Sequence, residues 1–477
     1  MRAASAPLIA FALTLGAAAQ TSTSGAAAPP LPPPTAAELR AGLGPAAVTP
    51  TVIPPALPGP VTYSCGPQKG ATALTRSSLF TPTSAGFDLG PAPSITVLRK
   101  NGASFCSSDK PFFFSIPVPE GNYRVTLTLG GADASVITVR AEARRLFIQQ
   151  LPIPAGNTVT RAIDVNVRIP EFTRPDGTRG RVRLKQREVG NLDWDAKLTL
   201  EFNGDHPAFH SLTVEPLVGA KAEPTIYLAG DSTMVDQDVE PWASWGQMLP
   251  RFFLPGVAIA NHAESGESSA SFLGEQRFAK IMSLIRPGDY FFVQFAHNDQ
   301  KIPNFPERYR QIMTDFVTQV RARGATPVIV TAMNREAFDA DGHIKDTLAP
   351  YPQISRQIAA ATGTALIDLN AMSKTLFEAL GPAGSDHAFM KFKAGSYPGV
   401  EHDISDTTHF NSYGAYELAR CVVDGIRDDK LPIARLLDPR VPAFDPAHPD
   451  PFASFSLPYS PPQKKEDVTK IPQANLK

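Results

Sequence analysis

From residue 224 onward, short apolar runs alternate with stretches in which apolar residues recur at helical spacing. Strands are predicted at residues 225–229, 257–261, 290–295, 327–332 and 365–369. Two of the intervening helices are predicted at residues 307–323 and 351–361. This alternation predicts an α/β fold, in which helices cover both faces of a parallel sheet. Functional side chains in such folds lie beyond the carboxyl ends of the strands.

Candidate functional residues follow the first three predicted strands. Ser232 comes after the first strand, Gly266 after the second and Asn298 after the third. Asp406 and His409 stand far downstream, three residues apart, so that one loop presents both side chains to the same place. A serine hydroxyl becomes a nucleophile only beside a base, and the base needs an orienting partner. The pattern therefore predicts that Ser232 attacks, that His409 takes its proton and that Asp406 fixes the imidazole tautomer.

The same strand ends offer donors for an oxyanion hole. We predict that Ser232 lies at a helix N-terminus, where its N–H and the helix dipole favour an anion. Gly266 lets the backbone approach the developing oxyanion without a Cβ in the way, and the Asn298 amide supplies a third donor. Asp231 is interpreted as a turn-stabilising carboxylate, and His297 as a packing or supporting residue rather than a base.

Three motifs carry a resemblance to a known family. They are Gly230-Asp231-Ser232-Thr233, His297-Asn298-Asp299 and Thr408-His409-Phe410-Asn411. With Gly266 between the first two, their order resembles the SGNH hydrolase superfamily, and more narrowly the rhamnogalacturonan acetylesterase family of carbohydrate esterases. The resemblance covers about residues 224–430 and departs from the family at Ala296, where glycine is common. It implies a flavodoxin-like fold with a three-layer parallel sheet.

The resemblance also implies an activity. We expect a serine esterase that removes acetyl groups from a plant cell-wall polysaccharide, with pectic rhamnogalacturonan as the first candidate. We expect neither a metal nor a cofactor, and the sequence contains no zinc-type cluster of His or Cys. Deacetylation of xylan, of another glycan or of a small ester is the alternative within the superfamily. A non-catalytic polysaccharide-binding protein is the alternative from a different class.

Residues 61–217 have a different character, with short runs that alternate polar and apolar residues. We predict an all-β sandwich here, preceding the α/β domain of residues 224–430, because no helical pattern interrupts the strands. Segments 112–115 and 119–123, followed by Arg144 and Arg145, resemble the galactose-binding-like sandwiches often attached to such esterases. That resemblance implies carbohydrate binding, and a purely structural domain is the alternative.

The most basic stretch of the chain, residues 174–187, carries cations at alternate positions. They are Arg179, Arg181, Arg183, Lys185 and Arg187. We interpret them as the solvated face of a β-strand rather than a site for a polyanion. Since the net charge of the chain is −1, we expect no nucleic acid among its partners. The expected partner is an acetylated polysaccharide substrate, and the sequence sets no oligomeric state.

Two tryptophans close to the Ser232 motif are candidates for stacking on a sugar ring. They are Trp242 and Trp245, and Trp245 is equally compatible with packing in a helix core. His402 either touches substrate or merely lies on a loop, and it is left out of the catalytic set.

Residues 1–19 predict a secretory signal peptide, with Arg2, an apolar core and a closing run of alanines at 17–19. No other run reaches the ~18 apolar residues that a membrane span needs. We therefore expect an exported, soluble protein, secreted or periplasmic, in which Cys65 and Cys106 are able to form a disulfide and Cys421 is a buried thiol. A Pro- and Ala-rich linker is predicted at residues 20–60. A Pro-rich tail, lying on the surface or disordered, is predicted at residues 431–477.

Overall fold

The five parallel strands that the alternation predicts are present in the α/β region. The computed structural model describes residues 51–89 and 95–463. The predicted signal peptide, most of the 20–60 linker and the last residues of the tail therefore lie outside the described residues.

In chain order the strands are β1 (Val61–Cys65), β2 (Thr72–Leu74), β3 (Gly86–Asp88), β4 (Thr96–Lys100), β5 (Ala103–Ser107), β6 (Phe112–Pro117), β7 (Gly121–Leu129), β8 (Ser135–Ala141), β9 (Arg145–Ile153), β10 (Val159–Val167), β11 (Glu171–Thr173), β12 (Arg179–Arg181), β13 (Lys197–Asp205), β14 (Ala208–Pro216), β15 (Thr225–Ala229), β16 (Ala258–Asn261), β17 (Tyr290–Val293), β18 (Thr326–Val330), β19 (Ala365–Ile367), β20 (Phe389–Phe392) and β21 (Ile404–Phe410). The α-helices are α1 (Trp245–Met248), α2 (Ser269–Gly274), α3 (Arg277–Leu284), α4 (Pro306–Ala322), α5 (Tyr351–Thr362), α6 (Leu369–Ser385) and α7 (Ser412–Asp428). Among these described helices, none combines the length and the apolar character that crossing a membrane requires.

The centre of the α/β region is a parallel sheet with helices on both faces. Its strands lie in the spatial order β16, β15, β17, β18, β19, which is the 2-1-3-4-5 order of flavodoxin-like sheets. Successive residues of a strand point to opposite faces, so an apolar run fills two cores. Phe292 shares one hydrophobic cluster with Leu418 of α7, whereas Phe291 packs against Phe278 of α3 and Phe316 of α4. The observed layers agree with the predicted α/β fold class.

Residues 61–217 are β-rich, as the alternating pattern predicts. Strands β3, β6, β13, β8 and β9 form a five-stranded antiparallel sheet. Phe114 of this sheet and Leu127 of β7, in the other sheet, belong to one hydrophobic cluster. Cys65 and Cys106 form a disulfide in this region, a pairing that the sequence left open. Cys421 of the α/β region is a buried free thiol, as expected. The galactose-binding-like classification stays a prediction.

The β-rich and α/β regions share one sheet, a feature that the sequence pattern does not reveal. Val165 of β10 pairs in parallel with Ile259 of β16, and the sheet then continues with antiparallel pairing from β10 to β7, β14 and β1. Within the described residues it contains twelve strands. The C-terminal tail contacts both regions. Within its described part, Ser460 donates hydrogen bonds to Glu240 at 3.0 Å and to Glu201 at 2.7 Å. The described part of the tail therefore packs on the surface of the protein, which is one of the two states predicted for the tail.

Arg145 of β9 joins the two regions through a buried guanidinium group. It donates to the carbonyl oxygens of Ile259 at 2.9 Å and Asn166 at 2.7 Å, and its Nε lies 3.3 Å from Asp236 Oδ2. The charged side chains of Arg145 and Asp236 are at most 1% exposed. The substitution Arg145→Met leaves the buried carboxylate with less compensation, so we expect the free energy of unfolding to fall by about 3–5 kcal/mol. Guanidinium chloride unfolding followed by tryptophan fluorescence measures this change.

Lys221→Met is the control for this experiment, because it removes an ion pair with Glu215 in which the lysine side chain is 61% exposed. It should change the free energy of unfolding by less than about 1 kcal/mol. An Arg145→Met protein as stable as this control would contradict the role assigned to Arg145.

Candidate active site

Ser232 lies just beyond the carboxyl end of β15, in a tight turn. A Cβ on Gly230 would lie 2.9 Å from the carbonyl oxygen of Gln294, so the close approach of this turn to the end of β17 requires glycine. Asp231 Oδ1 accepts hydrogen bonds from N and Oγ1 of Thr233 at 3.0 and 2.8 Å. These bonds match the turn-stabilising role predicted for Asp231.

The prediction of a helix N-terminus at Ser232 is wrong. The N–H groups of Met234 and Val235 both donate to the Asp231 carbonyl oxygen, which closes a single turn, and helix α1 begins only at Trp245. A helix dipole arises from many peptide units aligned head to tail, and one turn does not provide them. The helix dipole predicted at Ser232 is therefore missing, and the assignment of the Ser232 N–H to an oxyanion hole stays a prediction.

Ser232, His409 and Asp406 form one hydrogen-bonded chain. Ser232 Oγ lies 2.8 Å from His409 Nε2, and His409 Nδ1 lies 2.7 Å from Asp406 Oδ2. Asp406 Oδ1 also accepts from the N–H groups of Thr408 at 2.7 Å and His409 at 3.0 Å. With Nδ1 protonated, the imidazole donates to Asp406 and accepts the Ser232 hydroxyl hydrogen through Nε2. This arrangement is able to deprotonate a serine for nucleophilic attack.

Asp406 and His409 lie on strand β21 rather than on the expected loop. In a regular strand, side chains three residues apart point to opposite faces. In β21, Phe410 pairs with Phe389 of β20 and Asp406 pairs with the next residue of β20, Met390, so residues 407–409 have no paired residues in β20. This irregularity bends the strand and lets the carboxylate and the imidazole meet.

The surroundings of Asp406 keep its carboxyl group ionised. Partial burial by itself raises the pKa of a carboxyl group. The hydrogen bond and charge of His409, with two backbone N–H bonds, outweigh this effect and lower the pKa of Asp406 to about 2. The group is therefore a carboxylate at neutral pH, and it is available to stabilise an imidazolium on His409.

Gly266 and Asn298 meet at the same rim of the sheet. Gly266 is exposed in the loop after β16 and has a φ of 79°, a value that favours glycine. Asn298 follows β17, and its Nδ2 donates to the Glu267 carbonyl oxygen at 3.0 Å. Its Oδ1 accepts from Lys301 Nζ at 2.8 Å. Asn298 is thus tied to the loop that carries Gly266, while the assignment of both residues to an oxyanion hole stays a prediction.

His297 is buried beside these residues, as a packing residue would be. Its ring nitrogens have no hydrogen-bond partner among the residues that the structure describes. Burial, together with the positive charges of Arg335 and His409, holds the pKa of His297 well below its usual range. The ring is therefore neutral at neutral pH.

The two tryptophans differ in their surroundings. Trp245 is fully buried and its Nε1 donates to Gln294 Oε1 at 3.0 Å, so helix-core packing is the interpretation that the structure supports. Trp242 is half-buried, and the adjacent Ala243 pairs with Phe410 of β21. Sugar stacking by Trp242 stays a prediction. His402 is exposed before the start of β21.

The interpretation of the basic stretch as a solvated strand face holds at Arg179, which is exposed on β12, and is wrong for the cations that follow the strand. Only residues 179–181 form a strand, and the cations beyond it bind groups of the α/β region. These contacts join Arg183 Nη2 to Gly274 O at 2.7 Å, Lys185 Nζ to Ser265 O at 2.7 Å, and Arg187 Nε to Glu264 Oε1 at 2.6 Å. Lys185 and Arg187 therefore lie beside Gly266. Alternation of charge alone does not distinguish solvent from partners about 80 residues away along the chain.

Arg335 is a residue at this rim that the sequence analysis overlooks. It follows β18, and its Nη2 lies 3.4 Å from the His297 carbonyl oxygen. The adjacent Glu336 N–H donates to the Thr407 carbonyl oxygen at 2.9 Å and so ties this segment to β21. Arg335 could have been identified from the sequence, because functional side chains lie beyond the carboxyl ends of parallel strands and Arg335 follows the fourth predicted strand.

Asp299 allows a test of how burial changes the pKa of a carboxyl group at this rim. Its Oδ1 accepts from N and Oγ of Ser269 at 2.9 and 2.6 Å, and burial raises the pKa of Asp299 to about 7. A carboxyl group whose pKa is higher in the folded state than its ordinary 3.8 binds its proton more tightly there. The folded state therefore loses stability as pH rises from 3.8 to about 7, by up to about 1.4 kcal/mol for each pH unit crossed.

We expect Asp299→Asn, which keeps the acceptor and removes the titration, to lose less stability than the wild-type protein between pH 5 and pH 8. Thermal unfolding midpoints at the two pH values measure the difference. Ser269→Ala removes the Oγ hydrogen bond, keeps the backbone one and leaves the carboxyl group, so its stability should still fall between pH 5 and pH 8, at least as steeply as that of the wild-type protein. Parallel profiles for the wild-type protein and Asp299→Asn would contradict this assignment.

Known proteins with similar sequences match the region that contains these residues. A profile of the GDSL-like Lipase/Acylhydrolase family matches residues 228–415. The chain is 40% identical over 213 residues to rhamnogalacturonan acetylesterase RhgT of Bacillus subtilis, which covers 44% of this chain and 91% of that protein. It is 33% identical over 216 residues to the probable rhamnogalacturonan acetylesterase YesY of the same organism, covering 44% of this chain and 94% of that protein. The X-ray structure of Bacillus subtilis YxiM is 23% identical, with a TM-score of 0.42, and covers 78% of this chain and 99% of that one.

Ser232, Asp406 and His409 all lie within the residues that the family profile matches. RhgT is matched over nearly its whole length and at 40% identity. The chain therefore belongs to the GDSL-like Lipase/Acylhydrolase family and is a carboxylic ester hydrolase.

Proposed function

We propose that this protein is a serine esterase that removes acetyl groups from pectic polysaccharide, and that rhamnogalacturonan is its preferred substrate. The observation that carries the proposal is the hydrogen-bonded chain from Ser232 through His409 to Asp406. It contains a nucleophile, a base and an orienting carboxylate at distances of 2.8 and 2.7 Å. The acetyl and pectic parts of the proposal rest on RhgT and YesY, which are both named as rhamnogalacturonan acetylesterases.

The reaction begins with proton transfer from the serine. His409 Nε2 takes the hydroxyl proton as Ser232 Oγ attacks the carbonyl carbon of the acetyl group. The carbonyl oxygen then carries a negative charge. We assign its stabilisation to the N–H groups of Ser232 and Gly266 and to the Asn298 side chain. Preorganised donors of this kind contribute about 2.7–4 kcal/mol each to the transition state.

Collapse of the tetrahedral intermediate releases the sugar. His409 returns its proton to the sugar oxygen, and the acetyl group stays on Ser232 as an acyl-enzyme. Water, deprotonated by the same imidazole, then hydrolyses this ester and regenerates the serine. Since the pKa of Asp406 is about 2, its carboxylate stabilises the imidazolium in both halves of the reaction.

We also propose that the protein is exported, to the periplasm or outside the cell. Residues 1–19 have the pattern of a secretory signal peptide. The disulfide between Cys65 and Cys106 is of a kind that persists in oxidising compartments. Export would bring the enzyme to a polymeric substrate.

Substitution of the nucleophile tests the activity. We expect Ser232→Ala to lower the rate of acetate release from acetylated rhamnogalacturonan roughly 10⁴-fold or more, because no other group replaces the attacking oxygen. Ser283→Ala is the control and should keep the wild-type rate, since that hydroxyl donates to the Lys280 carbonyl oxygen within α3. Acetate release by Ser232→Ala at the wild-type rate would refute the proposal.

A substrate panel tests the polysaccharide. Acetate release is measured on acetylated rhamnogalacturonan, acetylated xylan and 4-nitrophenyl acetate, and we expect the highest kcat/KM on rhamnogalacturonan. A higher value on xylan would reassign the substrate within the same chemistry. Binding to pectin without hydrolysis of any of the three would indicate a non-catalytic polysaccharide-binding protein.

A further inference from the structure

Two cations from the β-rich region hold the loop that carries Gly266. Lys185 Nζ donates to the Ser265 carbonyl oxygen at 2.7 Å, and Arg187 Nη2 donates to the same oxygen. Lys185 also pairs with the carboxylate of Glu267. The contacts therefore fall on the residues immediately before and after Gly266.

Buried partners fix the two cations. The side chain of Lys185 is 7% exposed, and that of Glu267 is 0% exposed. Arg187 is more exposed, but its Nε donates at 2.6 Å to Glu264, whose side chain is 8% exposed. The segment is itself anchored, because the Lys185 N–H donates to Glu188 Oε2 at 2.7 Å. Solvent and salt screen the buried Lys185–Glu267 pair much less than a surface pair. The half-exposed Arg187 is held through its buried partner Glu264.

Holding the Ser265 carbonyl oxygen also sets the direction of the Gly266 N–H, because both groups belong to the same peptide unit. A trans peptide is planar, and its C=O and N–H point in opposite directions. The Gly266 N–H donates to no backbone carbonyl within the described residues. The cations that bind the Ser265 carbonyl oxygen therefore orient the Gly266 N–H, which is the group assigned to the oxyanion, from the opposite edge of the same peptide unit.

The cations also change the strength of this donor. Charge-assisted hydrogen bonds are about twice as strong as neutral ones, and hydrogen bonds in a chain strengthen one another by about 10–30% each. Two cations on the carbonyl oxygen draw electron density from the peptide, which makes its N–H more positive. A more positive N–H gains more from a full oxyanion than from the neutral carbonyl group of a bound ester. The effect is therefore larger in the transition state than in the ground state.

We propose that Lys185 and Arg187 are positioning residues for the oxyanion hole, so that a segment of the β-rich region takes part in catalysis by the α/β region. This inference rests on the proposed function, since it takes the Gly266 N–H as an oxyanion donor.

The kinetic test replaces each cation by methionine, which keeps an unbranched side chain and removes the charge. We expect Lys185→Met and Arg187→Met each to lower kcat for 4-nitrophenyl acetate about tenfold, less than the 10²–10³-fold loss of a whole oxyanion donor. KM should change less than about twofold, because the lost interaction belongs to the transition state.

Arg183→Met is the matched control. Arg183 lies in the same segment and its Nη2 donates to a carbonyl oxygen at the same 2.7 Å, but that oxygen belongs to Gly274 rather than to the Gly266 loop. This variant should keep the wild-type kcat. Thermal unfolding midpoints of all three variants set an assay temperature at which each is folded.

The backbone amide of Gly266 provides a readout that does not require turnover. Labelling with ¹³C-serine and ¹⁵N-glycine selects the Ser-Gly steps of the chain, which are Ser24-Gly25 and Ser265-Gly266. We expect the Gly266 amide resonance to shift in Lys185→Met and Arg187→Met and to stay in place in Arg183→Met.

The outcomes separate this inference from the proposed function. Values of kcat for Lys185→Met and Arg187→Met within twofold of the Arg183→Met control would overturn the inference and leave the esterase intact, whether or not the resonance shifts. A fall in kcat with an unmoved Gly266 resonance would also overturn it, because the peptide would then not be the target of the cations. A wild-type protein that hydrolyses no ester would instead refute the proposed function.

Discussion

Parallel pairing of β15 with both of its neighbours is the constraint on which the site depends. Ile226 of β15 pairs with Ile259 of β16 on one side and with Tyr290 of β17 on the other. Because the three strands run in the same direction, their carboxyl ends meet at one edge of the sheet. The turn after β15 carries Ser232, and the loops after the other two strands carry Gly266 and Asn298. Strand β21 then needs only to deliver an imidazole and its carboxylate to that edge.

Buried charge joins the β-rich region to this sheet. Arg145 lies against Asp236, and Arg277 pairs with Glu188 at 2.5 Å. Taking such charges out of water costs several kcal/mol per ion, and only good geometry offsets that cost. A small displacement of one region would leave buried charges without partners. These buried pairs therefore fix the position of the β-rich region against the sheet. The contact from Lys185 to the Gly266 loop depends on that fixed position.

Local pattern predicts much of the α/β region correctly, and the errors have physical causes. The strand predicted at residues 225–229 is observed at those residues, because an apolar run between polar turns depends mainly on its own composition. The helix expected at Ser232 is absent, since the Asp231 side chain and carbonyl oxygen close a local turn instead. The prediction for the basic stretch fails for a different reason. The local sequence does not show whether a cation is solvated or is bound by partners far along the chain.

The sequence by itself determines which chemical groups exist and which segments become strands or helices, because these properties depend on residues a few positions apart. It identifies Ser232, Asp406 and His409 as candidates on that basis. Only the tertiary structure decides that Ser232 meets His409, 177 residues away, or that Lys185 meets Ser265, 80 residues away. A hydrogen bond acts over about 3 Å, so its partners are set by how the whole chain packs and not by the residues beside them in the sequence.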